Sequence, residues 1–280
     1  KRGKVFENKA GDKGSRRANY FLLPGNIFSA NVDNMKKNKG MTVSFFVNGN
    51  GNASVNAPLF SAYASHPKND ANTAPMFMIQ GEQSIQLNAN GAGDFTSRDN
   101  QDGFNCLSLD HLKDGQWHNI TVTISDEKAV YYVDGVAENI WKHNASGFLD
   151  GKGIGALCYI CLGGNQAWSL ADPDAFYQFD DIRIFDEELD SKQIYKLMTN
   201  KEPVTADKTK LRSVIRRARL LQQELYKEES LAIFNKGLES AKKILYDGEA
   251  SQADADAAAR RLLYLMKREF TDKKEVDLQE

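Results

Sequence analysis

Little in this 280-residue chain points to a cross-linked, membrane-embedded or strongly charged protein. It has three cysteines, too few for a disulfide framework. Cys158 and Cys161 form a C-x-x-C within GALCYICLGG, a stretch that reads as a strand. Residues three apart on a strand point to opposite faces, so the pair is badly placed to bridge itself. No second C-x-x-C completes a zinc site. Free, mostly buried thiols are expected, packing as small hydrophobes. No apolar run approaches the roughly 18 residues of a membrane-spanning helix. A secretory n-region and h-region are also missing, so an exported chain would have lost its signal ahead of residue 1. Formal net charge is only −2, and residues 201–280 hold 17 basic against 15 acidic residues. That balance excludes the basic surface of a nucleic-acid binder. The four histidines, His66, His111, His118 and His143, stand in no nucleophile-elbow context.

What is present is alternation. Ile120, Val122 and Ile124 alternate with Asn119, Thr121, Thr123 and Ser125, the period of a half-buried strand. Asp126-Glu127-Lys128 supplies a turn, Val130-Tyr131-Tyr132-Val133 a second strand, and Asp134-Gly135 a strong hairpin dipeptide before Val136–Trp141. This antiparallel meander must bury one face against another layer. Tyr20–Leu23, Met41–Val47, Pro58–Ser65, Pro75–Gln80 and Gln83–Ala89 read as further strands, and residues 1–19 as a lead-in. In Met41–Val47, the side chains of Met41, Val43, Phe45 and Val47 share one face. Short strands separated by polar breaks predict a two-sheet sandwich.

After Met198 the period changes. Residues 199–204 form a polar linker with Pro203, and three apolar stripes follow. They are Leu211, Val214, Ile215, Ala218, Leu221 and Leu225; then Leu231, Phe234, Leu238, Ala241 and Leu245; then Ala255, Ala258, Leu262 and Leu265. Gly248 is placed to terminate the second helix, and Ser251 with Asp254 to cap the third. Three amphipathic helices with short links predict an antiparallel bundle.

The meander also carries a resemblance. W-H-N-I-T-V-T-I from Trp117 and Y-Y-V-D-G-V from Tyr131 resemble the paired strands of laminin-G-like modules. Met41–Val47, Leu162–Asn165 and Phe179-Asp-Asp-Ile-Arg-Ile-Phe185 continue the likeness, with a short helix expected over Glu187–Met198. The resemblance implies a concanavalin-A-like jelly-roll β-sandwich over residues 1–200. The last part, residues 201–280, resembles FIVAR three-helix modules in Asp207-Lys-x-x-Leu211, Tyr226-x-x-Glu229-Ser230, Leu238-x-x-Ala241-Lys242 and Ser251–Ala258. The implied class is mainly β with a separate all-α part, from a secreted or surface-exposed bacterial protein.

Glucanases of that superfamily carry E-x-D-x-x-E on a strand, one carboxylate as nucleophile and another as general acid. Two fragments approach the pattern here. Glu188-Leu-Asp190-Ser-Lys-Gln193 lacks the last acid, and Glu275-Val-Asp277-Leu-Gln-Glu280 lies in the charged tail. The expectation is therefore no catalysis. Sugar binding needs an aromatic platform beside hydrogen-bonding groups. Residues 165–177, NQAWSLADPDAFY, offer Trp168, Tyr177, Asn165, Gln166 and Asp172. The alternative for Trp168 is anchoring of its own loop. The resemblance further implies a calcium ion, with Asp172, Asp174, Asp180 and Asp181 as candidate ligands. An acidic turn and edge account for these four equally well. The expected partner is a glycan or polysaccharide. A surface protein bound by an adhesion or scaffold module, or a fragment of a larger glycoside hydrolase, are the alternatives.

Overall fold

A computed structural model describes residues 5–8, 20–49, 57–65, 76–88, 95–96, 108–142, 148–163, 177–199, 206–221 and 227–269. The chain divides into two compact units, Lys1–Ile194 and Tyr195–Glu280. Among the described residues no helix is long and apolar enough to cross a membrane.

The first unit is a β-sandwich. Its strands are β1 (Phe6–Glu7), β2 (Phe21–Leu23), β3 (Gly40–Asn48), β4 (Pro58–Tyr63), β5 (Met76–Gln80), β6 (Ile85–Asn88), β7 (Phe95–Thr96), β8 (Trp117–Ser125), β9 (Lys128–Val133), β10 (Val136–Lys142), β11 (Tyr159–Leu162) and β12 (Gln178–Phe185). One antiparallel sheet has the order β1-β12-β3-β8-β9-β10, the other β2-β11-β4-β5-β6-β7. Two short helices, α1 (Val32–Asn38) and α2 (Asp110–Lys113), lie in connections; the sequence pattern did not predict them.

Alternation places the core as expected. Met41, Val43, Phe45 and Val47 of β3 and Ile120, Val122 and Ile124 of β8 face Leu59, Phe60, Phe77, Ile79, Ile85 and Ile160 of the second sheet. Fully burying each such side chain is worth about 1.5–3 kcal/mol. Trp141, Phe28 and Phe148 join this core. The turn between β9 and β10 has Asp134 at φ 48° and Gly135 at φ 73°, the left-handed pair that a tight hairpin requires.

One expectation is corrected. β8 is not half-buried, because its polar face is closed as well: Asn119, Thr121 and Thr123 are buried, as is Ser44 on the neighbouring β3. Buried hydroxyls and amides need partners. Asn119 Nδ2 donates to Ser44 Oγ at 3.1 Å, and Thr121 Oγ1 lies 2.9 Å from Ser44 Oγ and 2.8 Å from Asn119 Oδ1.

The second unit contains three helices, α4 (Thr209–Arg219), α5 (Glu228–Tyr246) and α6 (Gln252–Glu269). Preceding them, α3 (Ser191–Thr199) spans the division between the units, a few residues before the boundary expected at residue 200. Leu211, Val214, Ile215 and Ala218, Phe234, Leu238, Ala241 and Leu245, and Ala255, Leu262 and Leu265 are buried along the predicted stripes. Ser251 and Asp254 form the expected capping pair. The Asp254 amide donates to Ser251 Oγ at 3.2 Å, and the Ser251 amide donates to Asp254 Oδ2 at 3.0 Å. The Ser251 hydroxyl and amide hold the Asp254 carboxyl below its usual range.

Gly248 has a different role from the one expected. Helix α5 ends on Asp247 in an extended conformation, φ −78° and ψ 105°. Gly248 is needed instead for close approach: a Cβ there would lie 1.6 Å from Tyr195 Cε2.

Candidate ligand-binding site

The predicted ligand loop leaves β11 at Gly163 and returns at Tyr177, ahead of β12. Gly163 has φ 67°, a conformation costly for any residue with a Cβ. Its amide donates to Leu59 O at 2.8 Å. A Cβ on it would also stand 2.8 Å from Phe179 Cε2. At the other end the Tyr177 amide donates to Asn8 Oδ1 at 2.8 Å, while the Asn8 amide donates to Tyr177 O at 3.0 Å. Both ends of the connection are therefore fixed on buried structure. Asn165, Gln166, Trp168, Asp172 and Asp174 lie outside the described residues.

Tyr177 is a core residue, 1% exposed, and so is not the exposed ligand-binding aromatic expected of it. The inward alternation of β12 begins at this residue: Tyr177 and Phe179 are two apart and share a face, with ring centroids 5.9 Å apart. Asp180 and Asp181 stand at an irregularity in the pairing of β12 with β3. Asp181, at φ 51°, receives the Arg183 guanidinium in two bonds, Nε to Oδ1 at 2.7 Å and Nη2 to Oδ2 at 2.8 Å. The Asp181 amide donates to Asp180 Oδ1 at 2.9 Å. Among the described residues no group of three or more histidine, cysteine or acidic side chains is placed to hold a metal ion.

The remaining motif residues also have structural partners. His118 is bridged between two carboxylates, Nδ1 to Asp134 Oδ2 at 2.6 Å and Nε2 to Asp114 Oδ2 at 3.0 Å. Asp134 Oδ1 accepts from the Asn119 amide at 2.8 Å, so the hairpin aspartate locks the histidine strand to its neighbour. Burial pulls the His118 pKa down, but Asp134 and then Asp114 outweigh it, and the net direction is upward. The incomplete glucanase-like fragment has a bland explanation. Glu188 pairs with Lys128 at 3.1 Å. Asp190 and Gln193 exchange side-chain-to-amide bonds, both 2.8 Å, at the start of α3, which is a capping box. Glu275, Asp277 and Glu280 lie outside the described residues.

One buried polar layer was missed by sequence reasoning. The side of the second sheet turned away from the core carries Ser61, Tyr63, Met78, Gln80, Gln86 and Tyr159. Gln86 Nε2 and Ser84 Oγ both donate to Gln80 Oε1 at 2.9 Å, and the Tyr20 and Tyr159 hydroxyls are 2.5 Å apart. Gln80, Gln86, Ser61 and Tyr63 are buried.

With this geometry, two antiparallel sheets enclosing one apolar core, the first unit is a jelly-roll sandwich. A family model described as the concanavalin A-like lectin/glucanases superfamily matches residues 25–195, and the chain belongs to that superfamily. No curated protein matches it. Among solved structures it resembles the Ruminococcus gnavus IT-sialidase CBM40, with 10% identity, 69% of this chain and 97% of that chain covered, and TM-score 0.44. It also resembles Domain 4 of AbnA, a GH43 extracellular arabinanase from Geobacillus stearothermophilus, in complex with arabinotriose (15% identity, 70% and 82% covered, TM-score 0.43). A third is a botulinum neurotoxin type C structure whose cell entry depends upon two ganglioside molecules (16% identity, 73% and 48% covered, TM-score 0.46). The chain spans less than half the length of that structure and of two others, one of them a receptor binding domain, at 48%, 42% and 44%.

Proposed function

We propose that this chain is a non-catalytic carbohydrate-binding protein, secreted or displayed on a bacterial surface, whose sandwich holds a glycan or polysaccharide. The helical unit, read as a FIVAR-like module, serves as spacer. The observation that carries the reading is the rigid mount at Gly163 and Tyr177, from which a connection of strongly sugar-binding composition departs. Specificity is readily carried by such a loop on a fixed scaffold. Trp168 stacks on the apolar face of a pyranose, while Asn165, Gln166 and Asp172 exchange hydrogen bonds with hydroxyls. The capping role of Asp190 and Gln193 supports the non-catalytic part of the reading.

A glycan array on the intact chain tests this. Aromatic stacking contributes about 1 kcal/mol beyond burial, so Trp168→Ala should weaken a positive signal about fivefold while the thermal midpoint stays unchanged. Silence of the array with recovery of a protein partner replaces the reading with that of an adhesion module. An unchanged affinity in Trp168→Ala removes the loop from the site.

Calcium belongs to the same reading. Asp181 is already held by Arg183, so the ion falls to Asp172, Asp174 and Asp180 with neighbouring carbonyls. Calcium added to chelator-treated protein should raise the midpoint of the sandwich by about 2 °C or more. A midpoint indifferent to calcium and chelator rules the ion out.

A further inference from the structure

We propose that the helical unit, beyond acting as a spacer, carries a binding surface of its own: a cationic seam between α4 and α6 that takes a linear anionic polysaccharide bearing carboxylates. The near balance of charge over residues 201–280 conceals this seam. No acidic residue stands between Lys208 and Leu221, or between Ala257 and Lys267. Asp207, Asp247, Glu249, Asp254 and Asp256 lie instead at the starts of α4 and α6 and in the link before α6. A few hydrogen bonds fix how the two helices lie. Lys208 Nζ donates to Leu245 O, near the end of α5. The Asp207 amide donates to Gln252 Oε1 at 2.7 Å, at the start of α6. Helices α4 and α6 therefore begin at the same end of the bundle, and they pack side by side.

At about 100° per residue, Arg217 falls on the side of α4 opposite Lys208, away from α5. On α6, Arg260 and Lys267 fall within about 80° of Gln252, on the flank turned to α4. Arg217, Arg260 and Lys267 are exposed and form no ion pair with another described residue. Tyr264, one turn past Arg260, is 64% exposed. The macrodipole favours cations in the last turn, which accounts for Arg217 but not for Arg260 in the middle of α6. Like charges on packed neighbours repel, and a polyanion turns that cost into attraction. The two guanidinium groups offer planar forks that match carboxylates, while the Tyr264 ring offers a face to a sugar. Arg260 and Lys267 are separated by about 10 Å along the helix, a distance comparable with the length of a disaccharide. The fitting partner is thus a uronic-acid polymer charged about once per disaccharide. A lipid surface calls for an apolar helix face as well, and those of α4 and α6 are buried inside the bundle.

The test uses the full chain with three probes: polygalacturonate, uncharged dextran as competitor, and phosphatidylglycerol vesicles. The intact chain should bind polygalacturonate and release it at high salt, and dextran should not compete. The double variant Arg217→Gln, Arg260→Gln should bind about tenfold more weakly, and Tyr264→Ala about fivefold. Lys236→Gln, Lys243→Gln removes two cations from exposed positions of α5 and should bind as the intact chain does. All these positions are exposed, so the helical transition should stay where it is. An intact chain that ignores polygalacturonate overturns the proposal. So does an equal loss in the two double variants, which would report net charge alone. A loss in Trp168→Ala with none in Arg217→Gln, Arg260→Gln would move the polymer to the sandwich and also overturn it. Binding to the vesicles in place of polygalacturonate would overturn it in favour of a lipid surface.

Discussion

The sandwich and the helical unit are built from the same alphabet but under different rules. In the helical unit the determinants are close together in sequence: one stripe per helix, and a capping pair, Ser251 and Asp254, three residues apart. In the sandwich they are far apart. Strand β3 lies between β8 and β12, and Phe6 pairs with Phe179. Glycine makes the contrast concrete. Gly163 is required by its left-handed backbone, whereas Gly248 has none and is required by the ring of Tyr195. Lysine does so again. Lys208, just ahead of α4, donates from its Nζ to Leu245 O and Asp247 O at the end of α5. It acts as a C-terminal cap there, and burial draws its pKa down. Local pattern suffices where partners are near, and misassigns residues whose partners are remote.

If the two units are independent, damage to one should leave the other untouched. The largest effect is expected for Trp141→Ala, since Trp141 is fully buried in the sandwich core and such truncations cost about 3–5 kcal/mol. Calorimetry of the full chain should show the sandwich transition fall while the helical one stays. A single transition that moves as a whole would break the comparison.

Gly248→Ala should do the reverse and lower only the helical transition, by about 1–3 kcal/mol, because an aromatic ring must be displaced. Gly237→Ala is the control that sharpens it. Its Cβ would meet Leu265 Cδ1, the end of a flexible side chain, and alanine recovers about 1 kcal/mol of helix propensity there. A Gly237→Ala variant weaker than Gly248→Ala would contradict the ring argument.

The smallest effect is one of pH. The folded pKa of His118 is raised, with Asp134 and Asp114 outweighing burial. Its bridge therefore contributes fully below the unfolded value of about 6.5 and is lost as pH rises through the higher folded value. As pH rises above about 6.5, the sandwich transition should fall more in the parent than in His118→Gln, with the helical transition showing no such difference. Parallel pH profiles for parent and variant would show that the bridge is electrostatically silent.

Several features were legible before any fold was known. The alternation in β3, β8 and β9 placed the core face, Asp134-Gly135 marked the hairpin, and three stripes marked three helices. The superfamily followed from the same runs of residues. The candidate site was legible only as composition. Trp168, Asn165, Gln166 and Asp172 were found as a sugar-like set, but Tyr177 was misassigned because hydrophobicity alone does not say when a strand's alternation begins.

Asn8 was invisible in sequence for a related reason. A two-residue strand has no period to read, and its partner Tyr177 lies 169 positions away. Period and turn chemistry are properties of neighbouring residues, so the sequence by itself determined the longer strands, the helices of the second unit and the apolar faces of β3 and β8. Which polar side chains are buried, which glycine avoids a ring, and which asparagine completes the pairing of β1 with β12 depend on what packs against them. Those choices belong to the tertiary structure, because a side chain's hydrogen-bond partner and free volume are set by elements far along the chain.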